Sequence, residues 1–182
     1  MEFSILYWIQ GLHRPLLDSF MAAVTFLGEV GWFWILTGTL LFCVKRTRRC
    51  GAAVLLSLAV GFLVGNCLLK NVIGRSRPCW IDPGVVLLIA SPDDYSFPSG
   101  HTLASFESAV SILLCYRRWG IAALVLACLI SFSRLYLFVH FPTDVLAGAV
   151  LGTGIAVLVH YLLDKWTGPG KDGGTGRTEV KP

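Results

Sequence analysis

Charged side chains are scarce in this sequence of 182 residues. Only 14% of the residues are Asp, Glu, Lys or Arg, whereas 55% are hydrophobic and the mean hydropathy is +0.69. Soluble globular domains carry about 25% charged residues, so the composition excludes an ordinary soluble domain. It predicts an integral membrane protein with one membrane-embedded domain over residues 1–166.

Cysteine patterns typical of metal or disulfide frameworks are also missing. Most of the six cysteines lie in or beside apolar segments, where a thiol behaves as a small hydrophobic group. There is no CxxC pair, so we expect no metal site. The formal net charge is +4, but the basic residues stand between apolar runs. That pattern is typical of membrane topology, so the expected partners are the lipid bilayer and a lipid, not nucleic acid.

Apolar runs predict an all-α bundle of about five transmembrane helices, because a spanning helix needs about 20 residues. The five predicted spans are 19–44, 51–69, 102–116, 119–138 and 145–163. Segment 3–12 is too short to span and is predicted to be an interfacial helix. Residues 167–182 are rich in Gly and Lys and are predicted to form a disordered tail.

Basic residues in the connecting loops predict the orientation of these spans. They follow the first, third and fifth spans, which by parity share one side of the membrane. They are Lys45, Arg46, Arg48, Arg49, Arg117, Arg118, Lys165, Lys171, Arg177 and Lys181. Cytoplasmic loops are enriched in Lys and Arg, so this side and the tail are predicted to be cytoplasmic. The other polar segments then lie on the outer side.

The first of these outer segments ends the second span. Lys70 and Arg77 are seven residues apart and share a face if the helix continues through Gly74 to Pro78. Two neighbouring cations favour an anion between them, although snorkelling to lipid headgroups is an alternative. For Arg75 the alternatives are contact with a phosphate, contact with a headgroup, and simple solvation.

The second segment is Pro98-Ser99-Gly100-His101, where a loop becomes the third span. Ser99 suits a helix N-cap, and Gly100 allows a ligand to approach the backbone closely. Helix N-terminal amides bind phosphate well. Taken alone, a four-residue pattern has many chance matches.

The third segment joins the fourth and fifth spans and contains Ser133, Arg134, His140 and Asp144. Asp144 lies four residues after His140, so its carboxylate can accept the proton of one imidazole nitrogen. The other nitrogen is then free to act as a nucleophile. An ordinary buried His–Asp pair is the alternative.

Together the three segments are far more specific than any one of them. Lys-x6-Arg-Pro, Pro-Ser-Gly-His and Ser-Arg-x5-His-x3-Asp occur in this order, each at a predicted helix end. This pattern resembles the type 2 phosphatidic acid phosphatase superfamily at every defining position, and the flanking Ser96-Phe97 and residues 141–145 are similar to bacterial members. The resemblance implies a lipid phosphatase that needs no cofactor and no metal.

The resemblance also implies a role for each motif residue. His140 would attack phosphorus to form a phosphohistidine, Asp144 would orient it, and His101 would protonate the leaving oxygen. The implied phosphate ligands are Lys70, Arg77, Ser99, Gly100 and Arg134. Arg75, which lies outside the defining positions, is with Ser133 and Pro98 a candidate to support these residues.

The implied substrates are undecaprenyl diphosphate, phosphatidylglycerophosphate and phosphatidic acid, hydrolysed at the outer face of the plasma membrane. A non-hydrolytic lipid-phosphate carrier and a lipid-diphosphate phosphotransferase are alternatives. Two further pairs of acids stand outside the motifs. We expect Glu29 and Glu107 to take part in hydrogen bonds between helices, of which a bond to each other is one form. We expect Asp93 and Asp94 to be solvated loop charges, with restriction of the entry of an anionic substrate as the alternative.

Overall fold

The computed structural model describes residues 1–167, and each regular element within them is a helix. The elements are α1 (Glu2–Gln10), α2 (Pro15–Leu27), a 3-10 turn (Glu29–Gly31), α3 (Trp32–Cys43), α4 (Arg48–Gly61), a π-helical stretch (Phe62–Leu69), α5 (Lys70–Ile73), α6 (Pro78–Ile81), α7 (Gly100–Cys115), α8 (Arg117–Tyr136) and α9 (Pro142–Thr167). The predicted tail lies outside the described residues apart from Thr167, which ends α9.

The middle of the bundle is α7, which packs against α4, α8 and α9. Small residues allow these helices to approach closely, as in many membrane bundles. A Cβ atom added at Gly120 would lie 2.1 Å from Leu113 Cα, and one at Gly152 would lie 2.6 Å from the Leu103 carbonyl oxygen. Close packing of α7 on α9 brings the second and third motifs together.

Three helical segments are long and apolar enough to cross a membrane: Arg48–Ile81, Arg117–Tyr136 and Pro142–Trp166. The pair α2 and α3 makes a fourth if it is counted as one bent span. The prediction of a multi-pass, all-helical membrane protein is confirmed. Helix α7 has 16 residues, fewer than the ~20 of a full span.

The predicted first span, 19–44, is not one helix. The chain bends by 42° between α2 and α3, and Val30 and Gly31 have φ angles of 49° and 70°. Left-handed backbone breaks the helical hydrogen-bond ladder. The bend also makes room for a side chain of the site, since a Cβ atom at Gly28 would lie 2.6 Å from His101 Cδ2.

The first motif does not lie on one continuous helix either. Gly74 adopts a left-handed φ of 59° and ends α5, whereas Pro78 begins α6 after an extended Arg77. A proline at the first helical position suits a helix start. The predicted shared helical face of Lys70 and Arg77 is therefore wrong; the turn at Gly74 brings the two side chains together instead.

The N-terminal segment is helical, as predicted, and it packs on the protein. Leu6 and Ile9 of α1 are buried, and the Phe3 ring packs edge-on against Phe141 with ring centroids 5.3 Å apart. This contact places the start of α1 beside the third motif.

The predicted cytoplasmic loops meet at the opposite end of the bundle. The Tyr116 hydroxyl donates to the Arg46 carbonyl oxygen at 3.2 Å, and Arg49 forms an ion pair with Asp164. The α3–α4 loop, the start of α8 and the end of α9 therefore lie together, far from the three motifs.

Candidate active site

The three motifs meet around a cavity of about 940 Å³. The motif residues that line it are Lys70, Arg77, Gly100, His101, Arg134 and His140. Pro98, Ser99, Ser133 and Asp144 are buried behind this lining. The cavity also extends along apolar side chains such as Leu55, Leu58 and Leu103. It therefore has a cationic end and an apolar end.

Two neighbours determine which nitrogen of His140 carries the proton. Arg77 Nη1 lies 3.1 Å from His140 Nε2, and a guanidinium only donates, so Nε2 is the acceptor. The proton therefore sits on Nδ1, which lies 3.3 Å from Ser96 Oγ. Burial and the charge of Arg77 hold the pKa of His140 well below its ordinary value. The imidazole is thus neutral at pH 7.

Asp144 does not bond directly to the imidazole, contrary to the expected geometry. Its Oδ2 lies 3.7 Å from His140 Nδ1, beyond hydrogen-bond length. The hydroxyl of Ser96 lies between them and donates to Oδ2 at 2.5 Å. The carboxylate also accepts from Arg75 Nη1 at 2.6 Å and from the Phe141 N–H at 2.9 Å.

Arg75 lies behind the site. Besides Asp144, its guanidinium contacts Glu2 Oε2 at 2.6 Å and Thr143 Oγ1 at 2.7 Å. It also stacks over the Phe141 ring at 4.2 Å. The side chain of Arg75 therefore supports Asp144 and faces away from the cavity, so it is not placed to contact a phosphate.

The cationic end of the cavity is occupied by a carboxylate, so Asp94 is not simply a solvated loop charge, and its position agrees with the alternative that it restricts the entry of an anionic substrate. Lys70 Nζ forms an ion pair with Asp94 Oδ2, and Arg77 Nη2 lies 2.6 Å from Asp94 Oδ1. Arg77 Nε also donates to the Asp94 carbonyl oxygen at 2.6 Å. Although burial acts to raise it, the contacts with these two cations lower the pKa of Asp94 to about 2. Asp94 stands where an anionic ligand would bind.

Arg134 completes the cationic end. It is 3% exposed, and its Nη1 donates to Thr25 Oγ1 at 2.6 Å. Within residues 1–167 its Nε has no hydrogen-bond partner, which leaves a donor for a ligand. The neighbouring Ser133 Oγ donates to the Ile130 carbonyl oxygen of its own helix and supports only the local backbone.

Ser99 and Gly100 serve the second motif differently. Ser99 is at the N-cap position of α7, but its side chain forms no capping hydrogen bond. Instead its Oγ accepts from Thr102 Oγ1 at 3.1 Å, and its N–H donates to the Asp144 carbonyl oxygen at 3.1 Å. A Cβ atom at Gly100 would lie 3.0 Å from Asn66 Oδ1, so any larger residue would require the Asn66 side chain to shift.

His101 Nε2 lies in the cavity wall with no hydrogen-bond partner among the described residues, 3.9 Å from Glu29 Oε2. A bond between Glu29 and Glu107, one form of the expected interhelical hydrogen bonds, is not formed: Glu29 faces His101 of α7, and Glu107 Oε2 has no hydrogen-bond partner within residues 1–167. Glu107 lines the same cavity at 1% exposure. Residues 1–167 contain no group of three or more His, Cys, Asp or Glu side chains placed to hold a metal ion.

The contacts of Asp94 and Ser96 with the motif residues were not expected from the sequence, which offered for Asp94 only the alternative of restricting the entry of an anionic substrate. Both lie in the irregular loop between α6 and α7, where no periodic pattern predicts which side chains turn inward. Ser96 had one signal, its place two residues before Pro98 in a stretch similar to bacterial members.

The sequence model of the PAP2 superfamily matches residues 51–167, which include all three motifs. The chain belongs to the PAP2 superfamily. The predicted family is confirmed.

Similar proteins extend the likeness to most of the chain. An undecaprenyl-diphosphatase of Sulfolobus acidocaldarius is 38% identical over 138 residues, which are 74% of this chain and 66% of that protein. A lipid A 4'-phosphatase of Bacteroides thetaiotaomicron is 30% identical over 197 residues, covering 97% and 87%. The crystal structure of a transmembrane PAP2 type phosphatidylglycerolphosphate phosphatase from Bacillus subtilis superposes with a TM-score of 0.73 at 29% identity, over 90% of this chain and 84% of that one.

The PAP2 chain described here is accordingly a membrane-bound phosphatase. Its helical bundle agrees with the solved family structure, and its motifs form one cavity with three cations and two imidazoles. The predicted class of enzyme, a hydrolase of lipid phosphates, is confirmed.

Proposed function

We propose that the protein hydrolyses lipid monophosphates or diphosphates through a phosphohistidine formed at His140. The observation that carries this proposal is the state of His140 Nε2. It is the unprotonated imidazole nitrogen, it lies 3.1 Å from Arg77 Nη1, and it shares the cavity with Lys70 and Arg134.

In the first step, the lone pair of His140 Nε2 attacks phosphorus. The bond from phosphorus to the leaving oxygen breaks, and His101 gives a proton to that oxygen. Phosphoryl transfer depends mainly on positioning and on stabilising the charge of the phosphoryl oxygens. Arg77, Lys70 and Arg134 supply this stabilisation as fixed cations.

In the second step, water attacks the phosphohistidine while His101 accepts a proton from it. The bond between phosphorus and Nε2 breaks, and the imidazole regains its lone pair. The low pKa of His140 supports this cycle, because the nitrogen returns to its neutral form. The products are inorganic phosphate and a lipid alcohol, or a lipid monophosphate when the substrate is a diphosphate.

Substrate binding must displace Asp94. Its carboxylate already forms ion pairs with Lys70 and with Arg77 Nη2. Because 55% of the Asp94 side chain is exposed, the carboxylate can move out into solvent. A phosphate carries more charge and more acceptor oxygens than one carboxylate, so it competes for the same donors.

The shape of the cavity supports a lipid substrate. Its cationic end suits the phosphate, and its apolar walls, which include Leu58 and Leu103, suit the hydrocarbon chain. We propose undecaprenyl diphosphate, phosphatidylglycerophosphate and phosphatidic acid as the substrates to test. Relatives named for an undecaprenyl diphosphate, a lipid A and a phosphatidylglycerolphosphate activity support a choice among phosphorylated lipids.

We also propose the topology predicted from the sequence: one domain over residues 1–166 with five spans, the active site at the outer face of the plasma membrane, and residues 167–182 in the cytoplasm. Counting α2 with α3 as one span and α7 as a short span gives five. The cluster of basic loops at the end opposite the site supports this orientation.

Phosphate release by the purified protein in detergent tests the proposal, with the three lipids as substrates. We expect release from at least one lipid and a loss of about 10³-fold or more in His140→Ala. His160→Ala, which removes a histidine of α9 far from the site, is the matched control and should retain activity.

The proposal fails if none of the lipids releases phosphate, or if His140→Ala keeps wild-type turnover. Vanadate, which mimics the phosphoryl transition state, separates the carrier alternative. An adduct that depends on His140 supports hydrolysis, whereas vanadate binding that is unchanged in His140→Ala supports a carrier.

A further inference from the structure

The gap between Asp144 and His140 is filled by a hydroxyl group. Ser96 Oγ lies 2.5 Å from Asp144 Oδ2 and 3.3 Å from His140 Nδ1, whereas the carboxylate and the imidazole are 3.7 Å apart. All three side chains are at most 1% exposed. The shortest hydrogen-bonded route from the acid to the imidazole therefore passes through Ser96.

The direction of each hydrogen bond in this route is fixed. An ionised carboxylate only accepts, so the Ser96 hydroxyl donates to Asp144. Because Arg77 donates to His140 Nε2, His140 Nδ1 carries a proton and can donate to the lone pairs of Ser96 Oγ. The two hydrogen bonds therefore point the same way: His140 Nδ1–H donates to the Ser96 hydroxyl, and the hydroxyl donates to the Asp144 carboxylate.

The backbone also holds Ser96 in place. Its N–H donates to the Arg75 carbonyl oxygen at 2.8 Å, and the Arg75 guanidinium binds Asp144 Oδ1 at 2.6 Å. One residue thus fixes both the hydroxyl and the carboxylate, and a side chain with so few rotatable bonds has little freedom to leave.

We propose that Ser96 is a positioning residue that links Asp144 to the nucleophile His140. This inference rests on the proposed function, in which His140 Nε2 attacks phosphorus. Attack makes the imidazole ring positive, so Nδ1–H becomes a stronger donor. The Ser96 hydroxyl accepts this stronger hydrogen bond and in turn donates to the Asp144 carboxylate. It thereby holds the imidazole ring with Nε2 facing the cationic end of the cavity.

The test is the steady-state kinetics of Ser96→Ala over a range of pH. We expect kcat to fall about 10- to 100-fold, less than for loss of the acid in a triad, with KM within about twofold. Loss of the link destabilises the protonated imidazole, so the acidic limb of kcat/KM should move to lower pH. A merely structural role would not move that limb.

The other ionisable groups around His140 stay unchanged in this variant. They are Arg77, Arg134, Lys70, Asp94, His101 and Asp144. A shift of the acidic limb is therefore assigned to the hydroxyl. Ser131→Ala is the matched control, because Ser131 is a buried serine whose hydroxyl donates within its own helix to the Ala127 carbonyl oxygen. It should match the wild type.

Two further variants keep the test decisive. Ser96→Cys keeps a weak donor in nearly the same volume and should lie between the wild type and Ser96→Ala, and it serves as the test if the alanine variant does not fold. In an Asp144→Asn background, Ser96→Ala should lower kcat by less than about twofold, because the hydrogen-bonded route from His140 to the carboxylate is already broken at residue 144.

The outcomes separate this inference from the proposed function. If His140→Ala is inactive but Ser96→Ala matches the wild type in kcat and in its acidic limb, Ser96 is not a positioning residue and the proposed function stands. If His140→Ala is active, the proposed function is wrong and the inference falls with it.

Discussion

Two carboxylates face arginines on opposite sides of His140, and they differ mainly in burial. Asp144 is fully buried behind the imidazole and binds Arg75, Ser96 and a backbone N–H. Asp94 lies in front of it, in a loop, with 55% of its side chain exposed. Both groups are carboxylates paired with an arginine. Only the Asp94 carboxylate can move away from its arginine into solvent, because Asp144 would remain as an unpaired charge in the interior.

Carboxylate–arginine ion pairs thus serve two different purposes in this protein. A buried, fully bonded carboxylate fixes a neighbouring side chain, because any movement breaks several hydrogen bonds at once. An exposed carboxylate shared by two cations holds both side chains in place and offsets part of their positive charge until a stronger anion displaces it. We expect substitutions of Asp144 to affect turnover, and substitutions of Asp94 to affect phosphate affinity.

The largest effect is expected from Asp144→Asn. The amide cannot accept from both Arg75 and Ser96 as the carboxylate does, so His140 loses its orientation. We expect kcat to fall about 10³- to 10⁴-fold, as for the equivalent change in a catalytic triad. Asp82→Asn, a partly exposed acid bonded to Tyr7, is the control, and initial rates of phosphate release measure both. A loss below tenfold would show that the acid behind His140 has no orienting role.

Arg77→Lys should give the next largest effect, because Arg77 contacts both Asp94 and the nucleophile His140. Lysine keeps the charge but not the fork of donors that reaches His140 Nε2, the Val139 carbonyl oxygen and Asp94. We expect kcat/KM to fall about 10²- to 10³-fold. Arg48→Lys, at the opposite end of the bundle, should have no effect. Equal activity of the two variants would contradict the predicted role of the guanidinium.

Asp94→Asn should strengthen the binding of phosphate, whereas the two substitutions above weaken catalysis. Removing the competing charge frees Lys70 and Arg77, so inorganic phosphate should inhibit about two- to fivefold more strongly, in line with a partly exposed ion pair. Asp93→Asn, at the preceding and also exposed residue, is the matched control. Weaker inhibition by phosphate in Asp94→Asn would show that the carboxylate assists binding instead of competing with it.

The pH dependence of this difference follows from the pKa of Asp94. A carboxyl whose pKa is lowered to about 2 stays ionised throughout the neutral range, and its ion pairs are lost only as the pH falls through that value. The ratio of the phosphate inhibition constants of the wild type and Asp94→Asn should therefore be constant from about pH 5 to pH 8. A ratio that changes across that range would contradict the assigned pKa.

Glu2→Gln should have the smallest effect. The ion pair of Glu2 with Arg75 is partly exposed, at 32% and 28%, and such pairs contribute about 0–1 kcal/mol. We expect kcat within about twofold of the wild type and a small decrease in the thermal unfolding midpoint. A tenfold loss of kcat would show that α1 is part of the apparatus that orients Asp144.

The sequence was sufficient to predict the family, the helical bundle and the residues that meet at the cavity. The three motifs are local patterns at helix ends, and fixed cations with imidazoles are groups that can bind a phosphate and transfer it. Lys70, Arg77, Arg134, His101 and His140 could be grouped on that basis alone, although their roles remain predictions.

Features that depend on irregular backbone could not be predicted. The left-handed Gly74 ends the helix that contains Lys70, so Arg77 lies outside that helix. The resulting turn nevertheless brings the two side chains close together. Asp94 and Ser96 lie in a loop, where side-chain direction depends on tertiary contacts and not on a period of 3.6 residues. The glycines at positions 28 and 31 are a local signal of the bend between α2 and α3. The apolar run, however, continues across the bend, so hydropathy alone predicts one uninterrupted span.

Attack by His140 Nε2 on phosphorus can be tested by identifying the phosphorylated atom chemically. The wild type is mixed with radiolabelled lipid phosphate, quenched at alkaline pH to preserve phosphohistidine, and digested for mass spectrometry. The account predicts phosphate on Nε2 of His140, in an amount that falls in Asp144→Asn. Phosphate on Nδ1, phosphate on another residue, or full turnover with no phosphorylated His140 would contradict it.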